Sequence, residues 1–237
     1  MAKSDETQRG RITLTKDGPY LVTGGLPLSK EIMVPDAKGD PVAWRTGECY
    51  PENETYALCR CGKSKNKPYC DGAHTREKFD GTETADGEGY LKKPDLTEGP
   101  ELVLQDVEAL CANARFCHPG GGIWALVEGS GDPEKSQQAV QEACDCPSGR
   151  LAIREKQGRK PIEPAHRPSI CLIEDPGKGV SGPIWVRGGV PVVSCDGRQY
   201  AARNRVTLCR CGKSGNKPFC DGRHIRARFN DGDESLK

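Results

Sequence analysis

Two stretches of this 237-residue chain carry the same set of potential metal donors. Residues 58–74 read LCRCGKSKNKPYCDGAH and residues 208–224 read LCRCGKSGNKPFCDGRH. Only Lys65/Gly215, Tyr69/Phe219 and Ala73/Arg223 differ, so the chain contains a duplicated unit. One copy offers Cys59, Cys61, Cys70 and His74; the other offers Cys209, Cys211, Cys220 and His224. Cys-x-Cys places two sulfurs on one tight loop. Pro68 or Pro218 stiffens the backbone before the third cysteine, and Asp71 or Asp221 is a good helix cap after it. A histidine four residues beyond a cysteine shares its helical face, so both can reach one metal centre. Three cysteines and one histidine also make a normal structural zinc set. The spacing alone leaves zinc and iron–sulfur open, while the crowding of all four donors into one short segment favours iron–sulfur.

Four further cysteines lie between the copies. Cys111 and Cys117 form C-x5-C; Cys144 and Cys146 follow, with Pro147 directly after the second. The thirteen cysteines thus divide into sets of three, four and three, leaving Cys49, Cys171 and Cys195. Cys171 sits in an apolar SICLIE run and reads as core, whereas Cys49 and Cys195 lie near turns and read as free thiols.

The repeated pattern C-x-C-x2-S-x3-P-x-C-D-G-x-H resembles the signature of the CDGSH iron–sulfur proteins, the mitoNEET-like family. The matching residues are Cys59, Cys61, Ser64, Pro68, Cys70, Asp71, Gly72 and His74, then Cys209, Cys211, Ser214, Pro218, Cys220, Asp221, Gly222 and His224. The resemblance implies a [2Fe–2S] cluster in each copy, held by three Cys and one His, beside a β-rich cap. It also implies that the two units pair about a two-fold axis, here within one chain. The departures fall before the histidine, at Ala73 and Arg223. Arg223 sets a positive charge beside a ligand, which predicts a more acid-resistant cluster at His224. Residues 100–155 resemble the single-cluster [3Fe–4S] and divergent [4Fe–4S] ferredoxins, because a cysteine followed by proline ends the ligand run of bacterial-type ferredoxins. That weaker resemblance implies a third cluster on Cys111, Cys117 and Cys146, with Cys144 or, less favoured, His118 as a fourth ligand.

These sites need elements to hold them. GPYLVTGGLPL at 18–28 matches GPIWVRGGVPV at 182–192, and each reads as strand, tight turn and strand. The first copy has 14 more residues before its cysteine motif, within KEIMVPDAKGDPVAWRTGECYPENET, which reads as a surface loop. In the middle, ELVLQDVEALCANARFC shows helical spacing and IWALVEG reads as a strand. DPEKSQQAVQEAC reads as a helix capped by Asp132 with Pro133 in its first turn, and LAIRE as a strand. KQGRKPIEPAHRPS reads as a linker with a solvated His166, and the NDGDESLK tail as frayed. The expected fold is α+β and β-rich. Two CDGSH units (1–94 and 166–237), each of β-cap strands, cluster loop and short helix, form a pseudo-two-fold pair, with a small α+β ferredoxin-like insert and linker at 95–165.

Composition narrows the function. The 29 glycines and 18 prolines forecast many turns, and 35% hydrophobic residues leave little bulk for a core. No run is long and apolar enough for a membrane helix, and the N-terminus lacks the apolar stretch of a secretory signal. The cytoplasm is therefore the expected compartment, where cysteines act as ligands before they act as staples. A net charge of +1 argues against a globally basic nucleic-acid binder. No phosphate loop, dinucleotide motif or nucleophile elbow is present, so no catalytic residues are assigned. The expected activity is electron transfer, cluster transfer or redox sensing, toward a redox partner or an apo-protein acceptor, by a monomer with an internal pseudo-dimer. The rival is a zinc-stabilised binding module, using basic patches at Arg60, Lys63, Lys65 and Lys67 and at Arg210, Lys213 and Lys217.

Overall fold

The computed structural model describes residues 10–85 and 94–236. The first nine residues of the N-terminal stretch weighed for a leader lie outside them. The first unit contains β1 (Arg11–Leu14), β2 (Tyr20–Thr23), β3 (Leu28–Pro35), β4 (Pro41–Cys49), β5 (Thr55–Leu58) and the one-turn helix α1 (Ala73–Arg76). The middle contains β6 (Asp95–Glu98), β7 (Leu102–Asp106), α2 (Ile123–Glu128), α3 (Pro133–Asp145) and β8 (Leu151–Glu155). The second unit contains β9 (Ser169–Asp175), β10 (Val180–Arg187), β11 (Val192–Val193), β12 (Arg205–Leu208) and the one-turn helix α4 (Arg223–Arg226).

The two units exchange strands. One sheet runs β11–β1–β2–β5 and the other β12–β10–β9–β3–β4. Thus β3, from the first unit, lies parallel to β9 of the second, with Leu28 opposite Ile170. Reciprocally, β11 lies parallel to β1, with Ile12 opposite Val192. This is the pseudo-two-fold pairing the resemblance implies. Alternation explains which side each strand buries: Ile12 and Leu14, Tyr20 and Val22, Tyr56 and Leu58 point inward. They meet Ile170, Leu172, Ile184, Val186, Val206 and Leu208 in one core shared by both units. Each unit alone would leave this face exposed, so neither buries its apolar side chains without the other.

Four sequence expectations need correction. The long connection in the first unit is not a surface loop: it forms the antiparallel β3–β4 pair, whose β4 edges the second sheet. Trp44 on β4 stacks on Phe116 with centroids 4.6 Å apart and meets Trp185 at 4.9 Å, tying this hairpin to the middle segment. ELVLQDVEALCANARFC is not a helix: its first half is β7, paired between β6 and β8, followed by one 3-10 turn. IWALVEG is α2, not a strand, and it buries Ile123, Leu126 and Val127 at helical spacing. Short apolar runs do not distinguish buried strand from buried helix by periodicity, and here the sheet partners decide. The tail is not frayed. Asp231 pairs with Arg210, Asp233 pairs with Lys30 at 2.5 Å, and a 3-10 turn closes at Leu236.

Other expectations hold. The helix α3 begins as read, with the Asp132 carboxylate accepting from the Glu134 amide at 2.9 Å. LAIRE is β8 and Cys171 is buried in the core. One further expectation is corrected: His166 is half-buried, its ring edge-on to Trp185 at 5.4 Å, rather than solvated. Among the described residues no helix is long and apolar enough to cross a membrane.

Candidate metal centres

The repeated loops owe their shape to the motif residues that carry no ligand. Ser64 donates to the Tyr69 carbonyl at 2.6 Å and accepts from the Asn66 amide at 3.0 Å. Ser214 does the same with Phe219 and Asn216. The carboxylate of Asp71 accepts from the Lys65 and Ala73 amides, both at 2.9 Å, tying the loop to the start of α1. Asp221 repeats this with Gly215 and Arg223. The Cys59 amide donates to Pro68 and the Cys70 amide to Ala57, which brings the two halves of the loop together. The Lys67–Pro68 and Lys217–Pro218 bonds are both cis.

The donors come together in pairs. In the first unit Cys59 Sγ and Cys61 Sγ are 3.8 Å apart, and Cys70 Sγ and His74 Nδ1 are 3.4 Å apart. In the second the separations are 3.7 Å for Cys209 and Cys211, and 3.4 Å for Cys220 and His224. A tetrahedral metal with sulfur bonds of about 2.3 Å holds two sulfurs about 3.8 Å apart, so each pair fits one metal. Among the described residues no three such side chains converge on a single ion position. Each motif thus groups its donors as two pairs.

Protonation tells the same story. Burial raises the Cys61 thiol to about 11 and raises Cys220 as well. In the Cys209–Cys211 pair, the mutual hydrogen bond lowers Cys209 and raises Cys211. Two adjacent thiolates repel, so a bound cation is needed to keep both deprotonated. The amides of Gly72 and Gly222 donate to Cys70 Sγ and Cys220 Sγ at 3.5 and 3.4 Å, drawing charge from a ligand sulfur.

The two loops touch. A methyl group on Gly62 would lie 2.7 Å from the Cys211 carbonyl, and one on Gly212 would lie 2.5 Å from the Cys61 carbonyl. Only glycine permits that approach, so the duplicated Gly packs the Cys-x-Cys loops back to back. Spacing arguments missed the roles of three residues that serve these loops. Tyr20 on β2 donates to the Cys209 carbonyl at 2.8 Å, reaching from the first unit into the second. Arg210 is buried and donates to the Gly182 and Ile173 carbonyls and to Glu174. Arg60 is buried too, donating to Thr15 and Gly81. Neither arginine is available to the surface patches that the zinc alternative invoked.

In the middle segment Cys111, Cys117 and Cys146 line one small pocket, together with Phe116, Ser148 and Arg150. Burial raises the Cys117 thiol to about 12, with Cys146 and Cys111 adding to the rise. Cys144 is outside that lining: its thiol points to the Ile162 carbonyl at 3.8 Å. His118 is outside it as well, its Nδ1 3.3 Å from Asp40. Cys49 and Cys195 are exposed, and none of the thirteen cysteines is in a disulfide.

His224 is almost fully buried, and burial first of all lowers its pKa to about 4. Asp175 and Asp221 oppose that shift, while Arg210 and Arg115 reinforce it. Arg223 turns outward to Asp221 at 3.2 Å, so burial, not the neighbouring charge, sets the basicity of this imidazole. Histidine binds metal as the neutral base, and acid competes. Between pH 6.5 and about 4 the unfolded chain takes up a proton that folded His224 refuses, so folding stability falls with acid in that window. His74 is only half-buried. The second site is therefore expected to bleach at lower pH than the first. In a His74→Cys variant, where His224 is the remaining imidazole ligand, visible absorption should persist to lower pH than in His224→Cys; the reverse order would refute the burial argument.

These features define a protein built around thiolate- and imidazole-bound metal centres. Comparison with known families is specific. Residues 17–75 and 181–225 match the family described as iron-binding zinc finger CDGSH type. Residues 97–156 match the family described as divergent 4Fe-4S mono-cluster. No curated protein and no solved structure matches the chain. The chain thus carries two CDGSH-type iron-binding domains flanking a segment that matches the divergent 4Fe-4S mono-cluster family.

Proposed function

We propose that this protein is a one-electron carrier with three clusters: a [2Fe–2S] cluster on Cys59, Cys61, Cys70 and His74, a second on Cys209, Cys211, Cys220 and His224, and a [3Fe–4S] or [4Fe–4S] cluster on Cys111, Cys117 and Cys146. The observation that carries this reading is the two-plus-two grouping of donors in each CDGSH loop. A bound cluster supplies a site that accepts and releases one electron. The chain's own residues hold it and tune it. One neutral imidazole among three thiolates leaves less negative charge than four thiolates, which raises the reduction potential. The Gly72 and Gly222 amides act in the same direction. The back-to-back loops and the adjoining middle site support passage between centres. The strand exchange supports a monomer whose pseudo-dimer is internal, and thirteen unpaired thiols support a reducing compartment such as the cytoplasm. The partner is a redox protein or an apo-protein cluster acceptor rather than a small substrate.

Anaerobic purification with iron and sulfide analysis and EPR tests the reading. About seven or eight irons per chain are expected, from two binuclear clusters and one larger one. About four irons would remove the middle cluster, and a colourless zinc protein would overturn the reading.

A further inference from the structure

The two CDGSH loops share their ligands but not their surroundings. His224 is 3% exposed, while His74 is half-buried. The cause is the middle segment. Asn113, two residues after the candidate ligand Cys111, packs onto Gly222 so closely that a methyl group there would collide with it. A methyl group on the equivalent Gly72 would meet nothing within 4 Å among the described residues. Asn216 donates to the Ala109 carbonyl at 3.2 Å, so the middle segment is fastened to the second loop at two points. A third cover comes from the end of the first unit. The Thr84 hydroxyl donates to the Gly215 carbonyl at 2.8 Å, and the Thr84 and Ala85 amides donate to Lys217 at 2.9 Å. Two of the three differences between the repeats meet at this face: Gly215 replaces Lys65, and the Arg223 guanidinium, where the first unit has Ala73, lies against it. Order is also fixed: Asn113 of the middle segment abuts Gly222 of the second loop, and Cys211 of that loop abuts Gly62 of the first.

We infer that the duplicated sites have diverged in duty. The second is a closed internal relay between the middle site and the first, and it retains its cluster. The first is the open terminus, the one CDGSH site at which a cluster is surrendered to an external acceptor. The inference rests on the cluster reading given above.

Exposure of the fully loaded protein at neutral pH to excess ethylenediaminetetraacetate tests it, with decay of visible absorption as the readout. Each release passes two ferric ions to the chelator, frees two sulfides as hydrosulfide and leaves three thiolates to be reprotonated, with no change of oxidation state. The CDGSH sites are expected to bleach in two phases at least about tenfold apart, which corresponds to about 1.4 kcal/mol of extra local opening at the second site. His74→Cys and His224→Cys assign the phases, because an all-thiolate site has shifted absorption and EPR signals. Asn113→Gly opens the lid; Asn113 has φ of 57°, a backbone conformation glycine adopts readily. In that variant the slow phase should quicken several-fold, with the fast phase and the melting temperature unchanged. Equal rates at the two sites, a faster second site, or a slow phase indifferent to Asn113→Gly would overturn the inference. Fewer than about four irons in the loaded protein would instead overturn the cluster reading itself.

Discussion

Cys146→Ser is expected to empty the middle site, and Cys144→Ser to leave it loaded. Both cysteines lie at the end of α3, two residues apart, and the sequence gives each a claim as a ligand. The chain turns between them. Cys144 is still helical and sends its thiol to the Ile162 carbonyl. Cys146 is the first extended residue after the helix, with φ of −65° and ψ of 108°, and faces Cys111 and Cys117 across the cavity. A serine hydroxyl at 146 does not deprotonate to replace a thiolate, so iron content should fall by about three or four per chain. The binuclear EPR signals should survive, because their donors come from other loops. Cys144→Ser exchanges a thiol with one weak hydrogen bond for a hydroxyl and should change neither iron content nor the EPR spectrum. Loss of iron in both variants would show that Cys144 is a ligand, and retention in both would remove Cys146.

Arg205→Met is expected to be the most damaging single change outside the ligands. Arg205 lies on β12, which leads straight into Cys209, and its side chain is 1% exposed. Its guanidinium donates to the carbonyls of Ala143, Cys146 and Leu151 and pairs with Glu163 at 2.8 Å. It thus caps the end of α3, holds the Cys146 turn, and fastens the middle segment to the second unit. Methionine keeps the length but offers no donor, leaving buried carbonyls unsatisfied and Glu163 without its cation. Leaving buried carbonyls without a donor costs about 1–3 kcal/mol each, so losing the three together costs about 3–5 kcal/mol after partial relaxation. For a chain of this size that predicts a melting temperature lower by about 6–20 °C, at roughly 2–4 °C per kcal/mol. Iron should be lost from the middle site first, and the first CDGSH site should keep its EPR signal. Arg205→Lys retains a charge but not the fork of donors, and should fall between the two. A melting temperature and iron content unchanged in Arg205→Met would refute this role.

How much of this was legible in advance differs from element to element. The candidate donors could be picked out because residue type and spacing leave a chemical mark; Cys144 carried the same mark as Cys146, and only the fold turns it from the cavity. The duplicate loop confirmed that the spacing mattered. The start of α3 was readable because an Asp followed by Pro fixes a local boundary. The middle segment was misread on both sides of its cysteines. β7 and α2 are short apolar runs whose conformation depends on whether a sheet or a helix lies alongside. The extra length in the first unit was misread for a related reason. β4 is an edge strand with mostly exposed side chains, so it carries little hydrophobic pattern of its own.

By itself the sequence determined which side chains are candidate metal donors, that two loops are copies, and that a third cysteine set lies between them. Tertiary structure alone decided how those sets stand to one another. Strand exchange puts β3 and β11 into opposite sheets, and no local pattern records which sheet a strand will join. Back-to-back loops, Cys144 turned from the cavity and Asn113 seated on Gly222 all follow from that packing. Ligand identity is a property of single side chains and short spacings. Exposure and order are properties of contacts between residues a hundred or more positions apart, so two loops with the same donors acquired different accessibility.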